Sequence, residues 1–201
     1  MNDRTKILAV NGSYRDDGIT DQAVKAAVQA VQALGAEVDV ILLREHPIEF
    51  CLNCRECTQR PGNSPGECVH HDGMQELIDK IEQADGYIIA SPTNFGSVTA
   101  VFKRFMERLV VYAYWPWSKS SPTFRKANGP KKKAVLISSC AAPGILGRWL
   151  FGTHTQLETT AQTIGADTVG TLFAGLIAKE PHPQISQRVK AKANALAARL
   201  V

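Results

Sequence analysis

No stretch of this 201-residue sequence is apolar for long enough to cross a bilayer. The opening Met1-Asn2-Asp3-Arg4 also lacks the charged-then-apolar layout of a signal peptide. Both absences lead us to expect a cytoplasmic protein with no membrane partner. Charge of one sign is scarce too. The net charge is +4, and the one basic run, Lys131-Lys132-Lys133, directly precedes a buried-strand pattern. Without aromatic residues interleaved among basic ones, nucleic acid is not an expected partner. The first loop has neither G-x-G-x-x-G nor G-x-x-x-x-G-K-[ST] spacing, which argues against a dinucleotide-binding or P-loop fold. No Ser–His or His–carboxylate set stands out for nucleophilic or acid–base catalysis.

What is present suits one globular domain. Apolar residues make up 44% and charged residues 21% of a chain long enough to bury a sizeable core. Short β-rich runs at 6–11, 37–42, 86–91, 134–139 and 167–173 alternate with helical periods at 21–34, 72–84, 98–110, 147–164 and 184–200. Gly35 and Gly165 stand where helix-closing glycines belong. Strict alternation with near-continuous apolar strands predicts an α/β fold: a three-layer, doubly wound, five-stranded parallel sheet in flavodoxin-like order. Right-handed crossovers then place the loops after strands one, three and four along one edge, at the topological switch point.

Those loops hold the unusual residues. The first runs from Gly12 through Ser13, Arg15 and Gly18 to Thr20, with Asp21 opening the helical pattern. A strand feeding a short polar loop into a helix start suits a phosphate, because first-turn N–H groups lack partners and the helix dipole favours an anion. Ser13 and Thr20 can donate hydroxyl bonds, Arg15 can pair by charge, and Gly12 and Gly18 let backbone come close. The loop after strand three carries Pro92, Thr93, Asn94, Phe95 and Gly96. The loop after strand four carries Ser139, Cys140, Ala141 and Gly144. Small residues there let backbone amides approach a flat ligand. Cys140 itself reads as a small buried residue at a strand end.

Four of the five cysteines fall in one connection, as Cys51-x2-Cys54-x2-Cys57-x10-Cys68. In a reducing compartment this is not a disulfide framework. Three readings stay open: an iron–sulfur cluster, which tight C-x2-C-x2-C spacing suits; a zinc ion on four thiolates; or an empty, reduced thiol cluster. Further on, Tyr112 to Pro130 forms a long connection without periodicity. It includes Trp115 and Trp117, which could roof a ligand, meet a second subunit or pack on their own domain.

Asn11-Gly12-Ser13-x-Arg15-x-x-Gly18-x-Thr20, Ser91-Pro92-x-x-Phe95-Gly96-Ser97 and the cysteines between them resemble the NADPH-dependent FMN reductase family, most of all its iron–sulfur flavoprotein branch. The likeness is strong in the first half. In the second half it lies in strand order and the loop after strand four. It implies FMN with its phosphate on Ser13, Arg15 and Thr20, its ring along Pro92 to Gly96, and the loop from Ser139 to Gly144 completing the ring site. It further implies a 4Fe–4S cluster on Cys51, Cys54, Cys57 and Cys68, although the last gap is longer here than is usual. Two more departures are Asn94, where relatives often carry an aromatic residue, and Ile19, where many carry Asn. The implied activity is electron transfer from NADPH or NADH through FMN to a small-molecule acceptor such as a flavin or quinone, in a homodimer or homotetramer. Arg104, Arg125 and Arg148 are candidates for contacting a nicotinamide 2′-phosphate. The rivals are an electron carrier or redox sensor without NAD(P)H turnover, and a flavin-free interaction protein.

Overall fold

The computed structural model describes residues 4–175 and 181–201, so Met1, Asn2 and Asp3 lie outside the described residues. Its main sheet comprises β1 (Lys6–Asn11), β2 (Glu37–Leu42), β3 (Gly86–Ala90), β6 (Lys132–Ser139) and β7 (Ala166–Ala174). The spatial order is β2-β1-β3-β6-β7 and every pairing is parallel. This is the expected order. Burial on both faces accounts for it, since all five residues of β3 and all but the first of β1 are buried.

Alternate strand residues build two separate cores. Leu8, Val10, Tyr87 and Ile89 pack beneath α2 (Met74–Gln83), α3 (Ala100–Arg108) and α5 (Thr153–Thr163). Ile7, Ala9, Ile88 and Ala90 face α1 (Ile19–Ala33) and α6 (Gln187–Ala197). The period of two along each strand therefore sorts one apolar run into two layers. Among the described residues no helix is long and apolar enough to cross a membrane.

Helix boundaries differ from the sequence reading in ways that serve the sheet edge. The period at 147–164 divides into α4 (Gly144–Leu150) and α5. Phe151 between them is extended, and the Gly152 N–H is taken by the Gly96 carbonyl at 2.9 Å. A neighbouring loop thus claims the amide that a continuous helix would have used. The period at 98–110 becomes α3 followed by a 3-10 turn over Leu109–Tyr112. The connection at 112–130 also contains a small antiparallel pair, β4 (Ala113–Tyr114) and β5 (Thr123–Phe124), which its sequence does not announce.

Thr99 ties a helix start to the sheet edge. Its Oγ1 accepts the Phe102 N–H at 3.3 Å, capping α3, and donates to the Gly12 carbonyl at 2.6 Å across the gap to the β1 loop. Thr99 is buried, so both bonds form away from water. Replacing Thr99 with Ala should lower stability by about 1–2 kcal/mol, the range for a lost cap and a buried bond. Thr99→Ser should recover most of it. Urea unfolding curves of the three proteins check this.

Candidate functional site

The loop leaving β1 is shaped by its own polar atoms. Asn11, the last strand residue, accepts the Ser13 N–H at 2.9 Å and donates to Asp21 at 2.7 Å. Ser13 Oγ donates to the Arg15 carbonyl and accepts the Arg15 N–H, which curls the loop around the hydroxyl. No side chain caps α1. Its first-turn N–H groups are therefore left for an external anion. Asp21 is buried and would oppose such an anion, but Arg44 Nη1 pairs with it at 3.1 Å and also donates to the Ser13 carbonyl at 3.0 Å. Asp21 thus braces the loop from within. Arg15 is exposed, with its aliphatic stem above Gly18. Sequence reasoning missed Arg44 because it arrives from the 3-10 turn after β2, and no spacing marks it.

Three loops are joined by direct bonds at this edge. Thr20 Oγ1 and Ser139 Oγ lie 2.8 Å apart, linking α1 to the end of β6. The Thr93 N–H donates to the Ser139 carbonyl at 2.7 Å, and Thr99 reaches Gly12 as described above. Asn94 and Ser97 pair across a two-residue turn whose centre, Phe95 (φ 52°) and Gly96 (φ 77°), is left-handed at both positions. This suits a primed hairpin turn and holds the Phe95 ring fully in solvent. Ser97 Oγ donates to Gln156 Oε1 at 2.8 Å, fastening the turn to α5. Pro92 is half-buried beside Thr93, and Ala141 is exposed. Cys140 is buried, and burial pushes its thiol up; Gly144 opens α4. A side chain at Gly147 would meet Cys140 Sγ at 2.4 Å, so this glycine is what lets α4 approach β6.

The four cysteines of the β2–α2 connection line a single cavity together with Arg55 and Arg108. Left-handed turns at Asn53 (φ 53°) and Arg55 (φ 64°) wind the chain so that Cys51, Cys54 and Cys57 face inward. Cys68 joins them from beyond the insert at 59–67. Burial first, then the nearby sulfurs of Cys68, Cys51 and Cys54, push the Cys57 thiol up to about 11. Such a set resists ionisation unless a cation offsets it, which is the donor chemistry of a thiolate-held centre. Among the described residues no three potential ligands close on a single metal ion. With its side chains as they stand the cavity is about 20 Å³, roughly the space of one water molecule. Cys51, Cys54 and Cys68 are half-exposed. His70 also lines this cavity and bonds through Nε2 to the Phe50 carbonyl, whereas His71 is exposed.

Arg55, Arg108 and Arg125 fasten this loop. Arg55 lies between Trp115 and Trp117, its guanidinium carbon 3.7 and 4.4 Å from the ring centres, and donates to the Trp115 carbonyl at 2.7 Å. The aromatic connection therefore packs on its own chain, against the cysteine loop. Arg125 is buried and donates to the carbonyls of Val111, Gly62 and Cys57. That corrects its reading as a nicotinamide contact, because its donors are turned inward. Beside it the Gly66 N–H donates to Val111, and a Cβ at Gly66 would fall 1.8 Å from the Cys57 carbonyl oxygen. Arg104 stands over the Phe50 ring, and Arg148 lies on α4.

Comparison with known proteins bears on the family and the fold. The model of the NADPH-dependent FMN reductase family matches residues 5–145. An iron–sulfur flavoprotein of Methanocaldococcus jannaschii is 33% identical over 103 residues, 51% of each chain. Another, from Archaeoglobus fulgidus, is 32% identical over 114 residues, 57% of this chain and 50% of its own. The chain thus spans about half the length of the curated relatives it matches. Among solved structures, an FMN-dependent NADH-azoreductase of Bacillus anthracis superposes with a TM-score of 0.71 at 15% identity, covering 98% of this chain and 99% of its own. A flavone reductase gives 0.66 at 18% identity, covering 98% and 62%. At these identities the structural likeness speaks for the fold.

Asp72, just beyond the cysteines, is the most shifted carboxyl here. Burial alone would raise its pKa, but hydrogen bonds from Arg108 and from the Glu49 and Met74 amides bring it down to about 2. A depressed carboxyl adds stability that is complete above its unfolded value and is lost as pH falls through the folded one. Acid titration should therefore remove on the order of 2 kcal/mol of unfolding free energy between about pH 4 and pH 2. Carbon-13 NMR of the Asp72 carboxyl should show its midpoint near the bottom of that window.

Proposed function

We propose, because the chain belongs to the NADPH-dependent FMN reductase family, that it binds FMN at the joined edge of β1, β3 and β6 and works as an NAD(P)H-dependent oxidoreductase. The observation that carries this reading is the bonding of three loops into one rim: Thr20 to Ser139, Thr93 to Ser139 and Thr99 to Gly12. A rim fixed before binding costs little to organise around a flat ligand. When bound, FMN supplies hydride acceptance from NADPH or NADH and delivery of electrons to a flavin, quinone or similar small acceptor.

The protein's own part is positioning and electrostatics. The open first turn of α1 and the exposed Arg15 suit the phosphate, while the Ser13 hydroxyl, held by the Arg15 backbone, shapes the loop around it. Arg44 cancels the buried Asp21 charge that would repel it. Thr93, Asn94 and Phe95 suit one side of the ring. The loop from Ser139 to Gly144 offers the backbone donors that favour negative charge on a reduced ring. The tight C-x2-C-x2-C spacing suits an iron–sulfur cluster better than zinc, whose four-thiolate sites more often arrive as two separated C-x2-C pairs. A cytoplasmic setting would keep those thiols reduced. The exposed Phe95 and Trp149 leave apolar surface that a second copy could cover, which fits a homodimer or homotetramer.

A second reading, an electron carrier or redox sensor without NAD(P)H turnover, is favoured by the cysteine cavity. Anaerobic NADPH oxidation with FMN added separates the two, because a carrier gives no steady-state rate. For the phosphate site, Arg15→Ala should weaken FMN binding by about 1–3 kcal/mol, the range for a charged hydrogen bond. Quenching of flavin fluorescence measures it, and unchanged affinity would remove Arg15 from the site.

A further inference from the structure

Arg108 is the largest of the fully buried side chains, with 1% exposure at the end of α3. A buried guanidinium is costly unless it is fully engaged. Its bonds all go to the cysteine connection. Nη1 donates to the Glu49 carbonyl at 2.8 Å, two residues before Cys51, and to Asp72 Oδ2 at 2.7 Å. Nη2 donates to Asp72 Oδ1 at 3.1 Å and to Cys68 Sγ at 3.4 Å. One side chain therefore grips the connection just before its first cysteine and at its last. Asp72 fixes the plane of the fork, and one hydrogen of Nη2 is left for sulfur. The buried Nε has no partner, and Arg108 lines the cysteine cavity.

We propose that Arg108 is the positioning residue of the cysteine cavity: it clamps the two ends of the loop together and presents an oriented N–H donor to the Cys68 sulfur. The proposal rests on reading the cavity as the seat of a thiolate-held iron–sulfur centre. Cys68 follows a ten-residue gap, so spacing alone does not hold it in register with the other three. Arg108 supplies that register from a distant helix. A centre on four thiolates carries net negative charge, and a donor to one of its sulfurs stabilises the reduced form.

Wild type, Arg108→Lys and Arg108→Gln, reconstituted anaerobically with iron and sulfide, provide the test. Lys retains a charge for Asp72 but cannot also reach the sulfur as a fork does. Both variants should release iron to a chelator about 10- to 100-fold faster, the usual cost of losing a partner to a metal ligand. Their midpoint potentials should be more negative than that of wild type. Equal release rates and equal potentials in folded variants would overturn the proposal. A wild-type protein that takes up no cluster would instead refute the underlying reading of the cavity. Should neither variant fold, pulsed EPR of the reduced wild type with nitrogen-15 arginine decides: coupling of an arginine nitrogen to the centre supports the role, and its absence overturns it.

Discussion

A sheet whose strands all run one way must release every strand at the same edge. In this protein that constraint comes from burial, because β1, β3 and β6 are apolar on both faces and are covered by helices above and below. The crossovers needed to keep the strands parallel carry the chain back each time. The loops after the first, third and sixth strands are therefore neighbours, whatever their sequences. What the sequence adds is the hydroxyls of Thr20, Ser139 and Thr99, which join these loops alongside a main-chain bond from Thr93 to Ser139. Most of the candidate site is thus a by-product of sheet polarity, finished by a few hydroxyls.

The same constraint explains what could be read in advance. Strands that are apolar throughout announce themselves, and the five runs fall within two residues of the observed strands at each end. The polar loop after β1 and the cysteine spacing were legible for a similar reason, since each is compressed into a few consecutive positions. Arg44, Arg55 and Arg108 were not legible. Each acts on residues far away in sequence, and its partners are chosen by packing, not by local pattern. The break between α4 and α5 escaped notice likewise, because the Gly96 carbonyl that claims the Gly152 amide lies on another loop. Charge partners and helix breaks of this kind belong to tertiary structure.

Around the cysteines the protein relies on a costly device. Burying Arg108 and Arg125 sacrifices hydration of two guanidiniums, a cost offset only by well-placed partners; all three nitrogens of Arg125 donate, while Arg108 leaves Nε without a partner. Arg125 is engaged entirely by main-chain carbonyls, which makes it a structural pin. Arg108 meets a carboxylate, a carbonyl and a sulfur, and so couples the fold of α3 to the placement of a thiol. Arg55 takes a third course, placed between two indole rings that give it favourable π faces. Three cations, bound in three different ways, meet one short loop.

The insert between Cys57 and Cys68 shows what such pinning permits. At its start the Thr58 and Gln59 side chains bond to Trp115 and Trp117, and beyond them the Gly66 amide bonds to Val111 and the Gly62 carbonyl accepts from Arg125. From Gln59 to Glu67 the side chains are exposed or half-exposed. For the stretch between two such fixed points, the entropy of closure rises slowly, by about 0.6 kcal/mol for each doubling of length. The span between the third and fourth cysteines is therefore close to a free parameter of this architecture. Residues could be added or removed at its tip at small thermodynamic cost, while Gly66, pressed against the Cys57 carbonyl, could hardly be anything else.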